Sequence, residues 1–341
     1  MIKGPVVAFI AALYGVSSML QIPFLSLYGL TGIIASSFLT VFAVTSASNL
    51  VSKLTRWTDE IFSVLVSVLF LTQAVGDVTV TFVAAAAAAT SATAVVTSVT
   101  KLTTIALLTL VTCATTFGTA LVLKMNLPKT RYLTSSIRKN LANFAPAIGV
   151  IIGSLLARLA QMYLLGSSSI SLPALQLPSE FVTSTGRSWL SLLTTGIINT
   201  NTKKLLWLTA IPAGFAAAIL LYLDQNITAR LVNHPRYKQR KGKRSSVLDG
   251  MHGDMLVLAL LTAISSILGL PWMCGAPTRS AAHVRNLSIV SNNDDGSGSG
   301  EVIEGTIENR VTGFAIHAMI GICAICTSPR NLLRTVPKPA L

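Results

Sequence analysis

The stretch Leu268–Leu287, LGLPWMCGAPTRSAAHVRNL, decides how this chain is read. It follows a long apolar run and interrupts it with Pro271, Gly275 and Pro277. Pro277 suits the first position of a helix, and small residues follow it. The renewed segment is too short to cross a bilayer, and Arg279 stands in its first turn. A helix that opens at membrane depth presents N–H groups without intrahelical acceptors, together with the positive end of its dipole. With an arginine beside them, Gly275, Ala276, Pro277, Thr278 and Arg279 form a candidate anion site. The competing reading is a proline-rich loop between two spans, with Arg279 snorkelling to the interface.

The composition places that stretch in a membrane. Of 341 residues, 52% are hydrophobic and 11% are charged, and the mean hydropathy is +0.66. A soluble domain carries about 25% charged residues. The formal charge of +14 does not imply nucleic acid in such a chain, because Lys and Arg collect in cytoplasmic loops and orient the spans. Nothing resembles a nucleic-acid-binding module. Met1–Pro5 runs straight into apolar sequence, so no cleavable signal is expected.

Taken in order, residues 5–22 are apolar but short and open with Gly4-Pro5; residues 26–50, 59–76, 101–123, 141–165, 205–232 and 247–269 are the longer apolar segments. Residues 77–100, with six alanines at 84–89, fit a loop or a helix. Residues 166–202 are rich in Ser, Thr and Pro, and 291–308 are acidic and rich in Gly and Ser; both read as loops. A last apolar segment begins at 311–327. Loops 49–58, 124–140 and 231–246 carry two, five and six Lys or Arg, against one and three at 77–101 and 166–204. The first three are therefore expected on the cytoplasmic side. The cluster His234–Arg244 also suits acidic lipid headgroups.

Few residues offer chemistry. Asp224 stands in the apolar run AAAILLYLDQNITARLV, where an ionised carboxylate is expensive and usually faces a partner or a wet cavity. Thr228, four residues on, shares its helix face. The alternative is that Asp224 lies near the cytosolic helix end and reaches headgroups. Arg279 is the natural counter-charge for Asp224 or for a bound anion. Pro5 and Val6 open a short segment much as Pro277 does, and two short helices with Gly and Pro openings are the signature of an inverted repeat. No metal or cofactor is expected: His234, His252, His283 and His317 are scattered, and Cys323 and Cys326 lie within an apolar run. No zinc-protease motif, phosphate-binding glycine loop or nucleophile elbow is present. The sequons at Asn226 and Asn286 fall in the membrane or on the cytosolic side, so neither is expected to carry a glycan.

Several stretches together resemble the bicarbonate and anion transporters typified by the band 3 anion exchanger, with the borate exporters as relatives. Ser52–Phe70 resembles the segment after that family's fourth span, Asn140–Ile152 its seventh, and Leu175–Trp189 the outer loop before its eighth. The most specific pieces are LDQNITARLVNHPRYKQRKG (223–242) and the opening stretch; ENRVTG (308–313) resembles the start of the eleventh span. The resemblance implies an all-α, multi-pass membrane transporter of seven-plus-seven inverted repeats, here covering spans three to eleven. Residues 1–165 then belong to the first repeat, 166–204 to an outer loop and 205–341 to the second. Asp224 matches the acidic residue of span eight, and Arg279 the arginine of span ten in exchangers. Ile10 and Ala11 replace acidic residues that some relatives carry, and Asp77 stands where a stilbene-reactive lysine is found.

The implied function is secondary-active transport of a small inorganic anion, bicarbonate first. Exchange for chloride, coupling to sodium or a proton, and a borate-exporting variant stay open, as does a truncated fragment that inserts without transporting. An enzyme is not expected. The implied partners are the anion, the lipid bilayer and a second copy in a homodimer, at the plasma membrane.

Overall fold

The structure is a computed structural model of the chain, and it describes residues 5–53, 56–90, 96–164, 172–178, 183, 203–239, 251–292 and 301–340. The described helices, in order, are α1 (Pro5–Met19), α2 (Phe24–Val44), α3 (Arg56–Thr90), α4 (Val96–Leu121), α5 (Ser135–Asn143), α6 (Ala145–Leu159), α7 (Lys203–Val232), α8 (Met251–Leu268), α9 (Pro277–Asn286), α10 (Val311–Ile325) and α11 (Thr327–Arg334). Two strands, β1 (Ser288–Asn292) and β2 (Glu301–Thr306), pair antiparallel. Among the described residues, six helices are long and apolar enough to cross a membrane, or seven if the pair α10 and α11, bent by 84°, counts as one span.

The chain forms two compact units. The first, residues 1–60 and 183–310, is built on α2. No charged residue interrupts α2, and one of its faces is lined by small side chains, among them Gly29, Gly32, Ala35 and Ala43. In lipid no hydrophobic force drives helix association, so close approach and packing must supply it. At Gly32 the approach is so close that a Cβ would overlap Ser266 Oγ on α8. Leu27, Tyr28, Leu39, Leu206, Leu221 and Met255 fill the core between α2, α7 and α8.

The second unit, residues 61–182 and 311–341, uses the same device. Gly149 and Gly153 are one turn apart on α6 and face α4, where added Cβ atoms would meet the Thr116 carbonyl at 2.8 Å and overlap its hydroxyl. Residues 172–178 run extended beside the end of the chain: Leu175 donates its N–H to Val336 at 3.0 Å, and Lys338 to Pro173 at 2.8 Å. Large apolar side chains such as Leu71, Phe117 and Ile151 are exposed on this unit, a surface suited to lipid rather than water.

One open choice is decided and two expectations are corrected. Residues 77–90 are helix, since α3 continues through them. Alanine is the strongest helix former, and a bilayer leaves an apolar backbone few alternatives. The helix breaks within 141–165, at Phe144, where α5 ends and Pro146 enters the first turn of α6. Residues 291–308 are not wholly loop, since β2 pairs with β1 and Thr306 Oγ1 donates to the Tyr237 carbonyl at 2.6 Å. Most of 166–202 and of the basic cluster, from Arg240 on, lies outside the described residues.

The α2–α8 contact yields a prediction. Gly32→Val forces a branched side chain into Ser266 and should cost on the order of 1–3 kcal/mol by overpacking. Thermal unfolding of the detergent-purified protein measures this, and an unchanged melting temperature would contradict the packing described.

Candidate functional site

Helix α8 ends for a local reason. Gly269 has φ of 66°, a left-handed conformation, and donates its N–H to Ser266 O at 3.3 Å while Leu270 donates to Ser265 O at 2.8 Å. This double bond is the Schellman arrangement, and the proline two residues on, Pro271, cannot resume the helix. The chain then runs extended to Ala276, and α9 starts at Pro277, where the sequence placed it.

The extended stretch is held from two sides. On the α2 and α8 side, Trp272 is buried and stacks on Tyr28, with ring centroids 4.6 Å apart and planes 11° apart. Its Nε1 donates to Ser266 Oγ at 2.8 Å, and Tyr28 donates its hydroxyl to Leu270 O at 2.6 Å. On the α7 side, Gly275 donates its N–H to Gln225 Oε1 at 2.9 Å, and its carbonyl lies 3.2 Å from Thr228 Oγ1, whose one proton it shares with the Asp224 carbonyl at 2.8 Å. Cys274 Sγ donates to Asp224 Oδ2 at 3.3 Å. A side chain at Gly275 would come within 2.9 Å of Thr228 Cβ, so only glycine lets the two segments meet this closely.

Asp224 and Thr228 are buried, at 7% and 5% exposure, against this stretch. Asp224 therefore faces the protein interior rather than headgroups. Its side-chain donor among the described residues is the Cys274 thiol. Of the two groups only the thiol carries a donor proton when the acid is ionised, so Cys274 is the donor of the pair.

No side chain caps the start of α9, where Ala276 occupies the N-cap with extended geometry and Pro277 the first turn. The N-cap side chain, that of Ala276, thus offers the N–H groups of the first turn no acceptor, next to the positive helix end. Arg279 is exposed and forms no ion pair with Asp224 among the described residues. At the other end of the chain, α1 begins at Pro5, Val6 is buried, and Phe9 lies 6.2 Å from Trp272 between ring centroids. Both α1 and α9 pack on α7.

Two residues of this site escaped sequence reasoning. Gln225 and Cys274 stand beside residues singled out, but their bonds cross 50 positions of chain. The available signal was the polar run Asp224–Asn226 inside an apolar helix, since a buried amide needs a partner. Asn226 is 1% exposed and donates to Tyr222 O at 2.8 Å, which buries the first sequon. Among the described residues, no three His, Cys, Asp or Glu side chains are grouped to hold a metal.

Comparison with known proteins bears on this arrangement. The chain matches the family described as the HCO3− transporter integral membrane domain in two overlapping stretches, residues 1–101 and 83–341. It is 32% identical over 230 residues to sodium bicarbonate cotransporter 3 of Rattus norvegicus, covering 67% of this chain and 17% of the relative. It is 31% identical over 232 residues to electroneutral sodium bicarbonate exchanger 1 of Homo sapiens, covering 67% and 19%. It is 32% identical over 218 residues to the sodium-driven chloride bicarbonate exchanger of Bos taurus, covering 62% and 17%. The chain thus spans under a fifth of the length of these relatives.

The clasp on Gly275 is open to a direct test. Thr228→Val keeps the side-chain shape but removes the hydroxyl shared by the Gly275 and Asp224 carbonyls and should cost about 1 kcal/mol, whereas Thr228→Ser retains the hydroxyl and the stability. Equal melting temperatures for the two variants in detergent would rule the contact out.

Proposed function

This chain belongs to the family of HCO3− transporter integral membrane domains, and from that premise we propose that it carries out secondary-active transport of a small inorganic anion, bicarbonate. The observation that carries the proposal is the uncapped start of α9, held beside the buried Asp224 within one compact unit. The N–H groups of Thr278 and Arg279, with the Arg279 guanidinium, receive the anion. A guanidinium and a helix start together offset a negative charge without any change in the protein's own bonding. Asp224 supplies the opposite charge and holds the coupled cation, sodium or a proton. Thr228, Gly275, Ala276 and Pro277 shape the wall, and Pro5 and Val6 at the start of α1 supply the facing one.

The names of the relatives support sodium as the coupled ion and chloride as an exchanged one, since they are a sodium bicarbonate cotransporter and a sodium-driven chloride bicarbonate exchanger. In this reading residues 1–165 and 205–341 descend from two inverted repeats joined by an outer loop, 166–204. The unit that carries the site moves as a body, so that anion and acid change sides together. The protein works at the plasma membrane as a homodimer.

The test is flux. Purified protein in vesicles should accumulate bicarbonate in response to an inward sodium gradient, and Arg279→Ala should reduce the rate at least about tenfold, the effect of losing one charged hydrogen bond, while the protein stays inserted. Unchanged flux in Arg279→Ala would dismiss the site assignment. Absent flux in the parent protein would dismiss transport by this chain.

A further inference from the structure

Gln225 lies on α7 between Asp224 and the buried Asn226, and the transport reading above gives it no part. Its contact is specific. A backbone N–H can be met only by the carbonyl oxygen of a side-chain amide, so the bond from Gly275 N–H at 2.9 Å fixes which way the amide is turned. The carbonyl of the same residue, in the next peptide group, is met by Thr228 Oγ1 at 3.2 Å. Gly275 therefore has both backbone polar groups occupied by α7 side chains, one turn apart on that helix. Its N–H is not available to an anion, and the first N–H of α9 is that of Thr278, three residues further on, where the N-cap Ala276 offers no side-chain acceptor. Cys274, the residue before it, meets Asp224, and Ala276, the residue after it, is the N-cap of α9.

We propose that Gln225 is a positioning residue for the anion site: by holding the Gly275 peptide it sets the register of the α9 start against Asp224. The proposal rests on the transport reading for its kinetic consequence but not for its structural one. The clasp joins the two halves of the site at a single residue. Losing the Gln225 end leaves a part-buried N–H without acceptor in a setting where lipid offers none. The stretch then relaxes from α7, the thiol of Cys274 parts from Asp224, and the α9 donors lose their fixed distance from the acid.

The experiment uses the chain with Cys113, Cys323 and Cys326 replaced by Ser, which leaves Cys274 as its one thiol. Gln225→Met keeps the length of the side chain and removes the carbonyl acceptor; Gln225→Glu keeps an Oε acceptor whether or not the carboxyl is ionised. N-ethylmaleimide, a neutral reagent, should modify Cys274 about tenfold faster in Gln225→Met than in the parent, with Gln225→Glu near the parent rate, as expected if one buried hydrogen bond is lost in the first and kept in the second. In vesicles, Gln225→Met should raise the half-saturating bicarbonate concentration about tenfold while the maximal rate per inserted protein stays within about twofold. That split marks positioning, because general misfolding lowers the maximal rate. Equal labelling of Gln225→Met and parent, or fast labelling of Gln225→Glu, overturns the proposal. A lower maximal rate at unchanged half-saturation also overturns it. If the parent carries no bicarbonate, the transport reading fails and the labelling rates alone decide the role of Gln225.

Discussion

An extended peptide among membrane helices must find partners for its N–H and C=O groups inside the protein, because hydrocarbon offers none. Residues 270–276 impose that constraint on the first unit. The answer is a set of polar side chains on spans that are otherwise apolar: Tyr28 on α2 for the Leu270 carbonyl, and Gln225 and Thr228 on α7 for the two sides of Gly275. A made hydrogen bond returns about 1 kcal/mol, but an unmade buried one costs about 1–3 kcal/mol. What selects these residues is the penalty for their absence. A hydroxyl, an amide and a second hydroxyl become obligatory on helices that would otherwise favour only apolar side chains.

The same solvent dictates how the helices touch. With lipid as apolar as leucine, helices gain by approaching closely, and small residues permit it. Gly32 meets Ser266 in the first unit, and Gly149 and Gly153 meet Thr116 in the second. Bulky side chains such as Leu71 and Phe117 are left to the outside. Ser266 links the two themes: its hydroxyl sits where Gly32 makes room, donates to Thr262 O and accepts from Trp272 Nε1. Close packing of α2 on α8 thus also anchors the extended stretch.

Much of this was legible in the sequence, because the features involved are local. Long apolar runs became spans, Pro277 started α9, and an acid in an apolar run proved to be buried at Asp224. The features missed have distant causes or mixed composition. Gly269, which ends α8, looks unremarkable next to Pro271, and only its positive φ shows that it caps the helix. The partner of Gln225 lies 50 residues away, beyond any periodicity. Residues 77–90 mix alanine with β-branched residues, so propensity alone could not choose, and the environment chose helix. The hairpin was hidden because its turn region is acidic and rich in Gly and Ser, which masks the short run Val302-Ile303.

What distinguishes scaffold from binding site here is which polar groups have been used. Tyr28, Thr228, Trp272 and the peptide of Gly275 have their bonding committed to fixed partners. Asp224 and the start of α9 do not. A carboxylate has room for about four hydrogen bonds, and among the described residues the side chain of Asp224 receives only that of a thiol, a weak donor. The first turn of α9 has no side-chain cap. An acid with spare acceptors and a helix start with spare donors, tied to one another through the Cys274–Gly275 link, are complementary to a cation and an anion respectively. Asp224 is buried while Ala276 and Arg279 at the α9 start are exposed, so the acid has the greater need of a partner; in the proposed site a ligand of each sign would complete the pair.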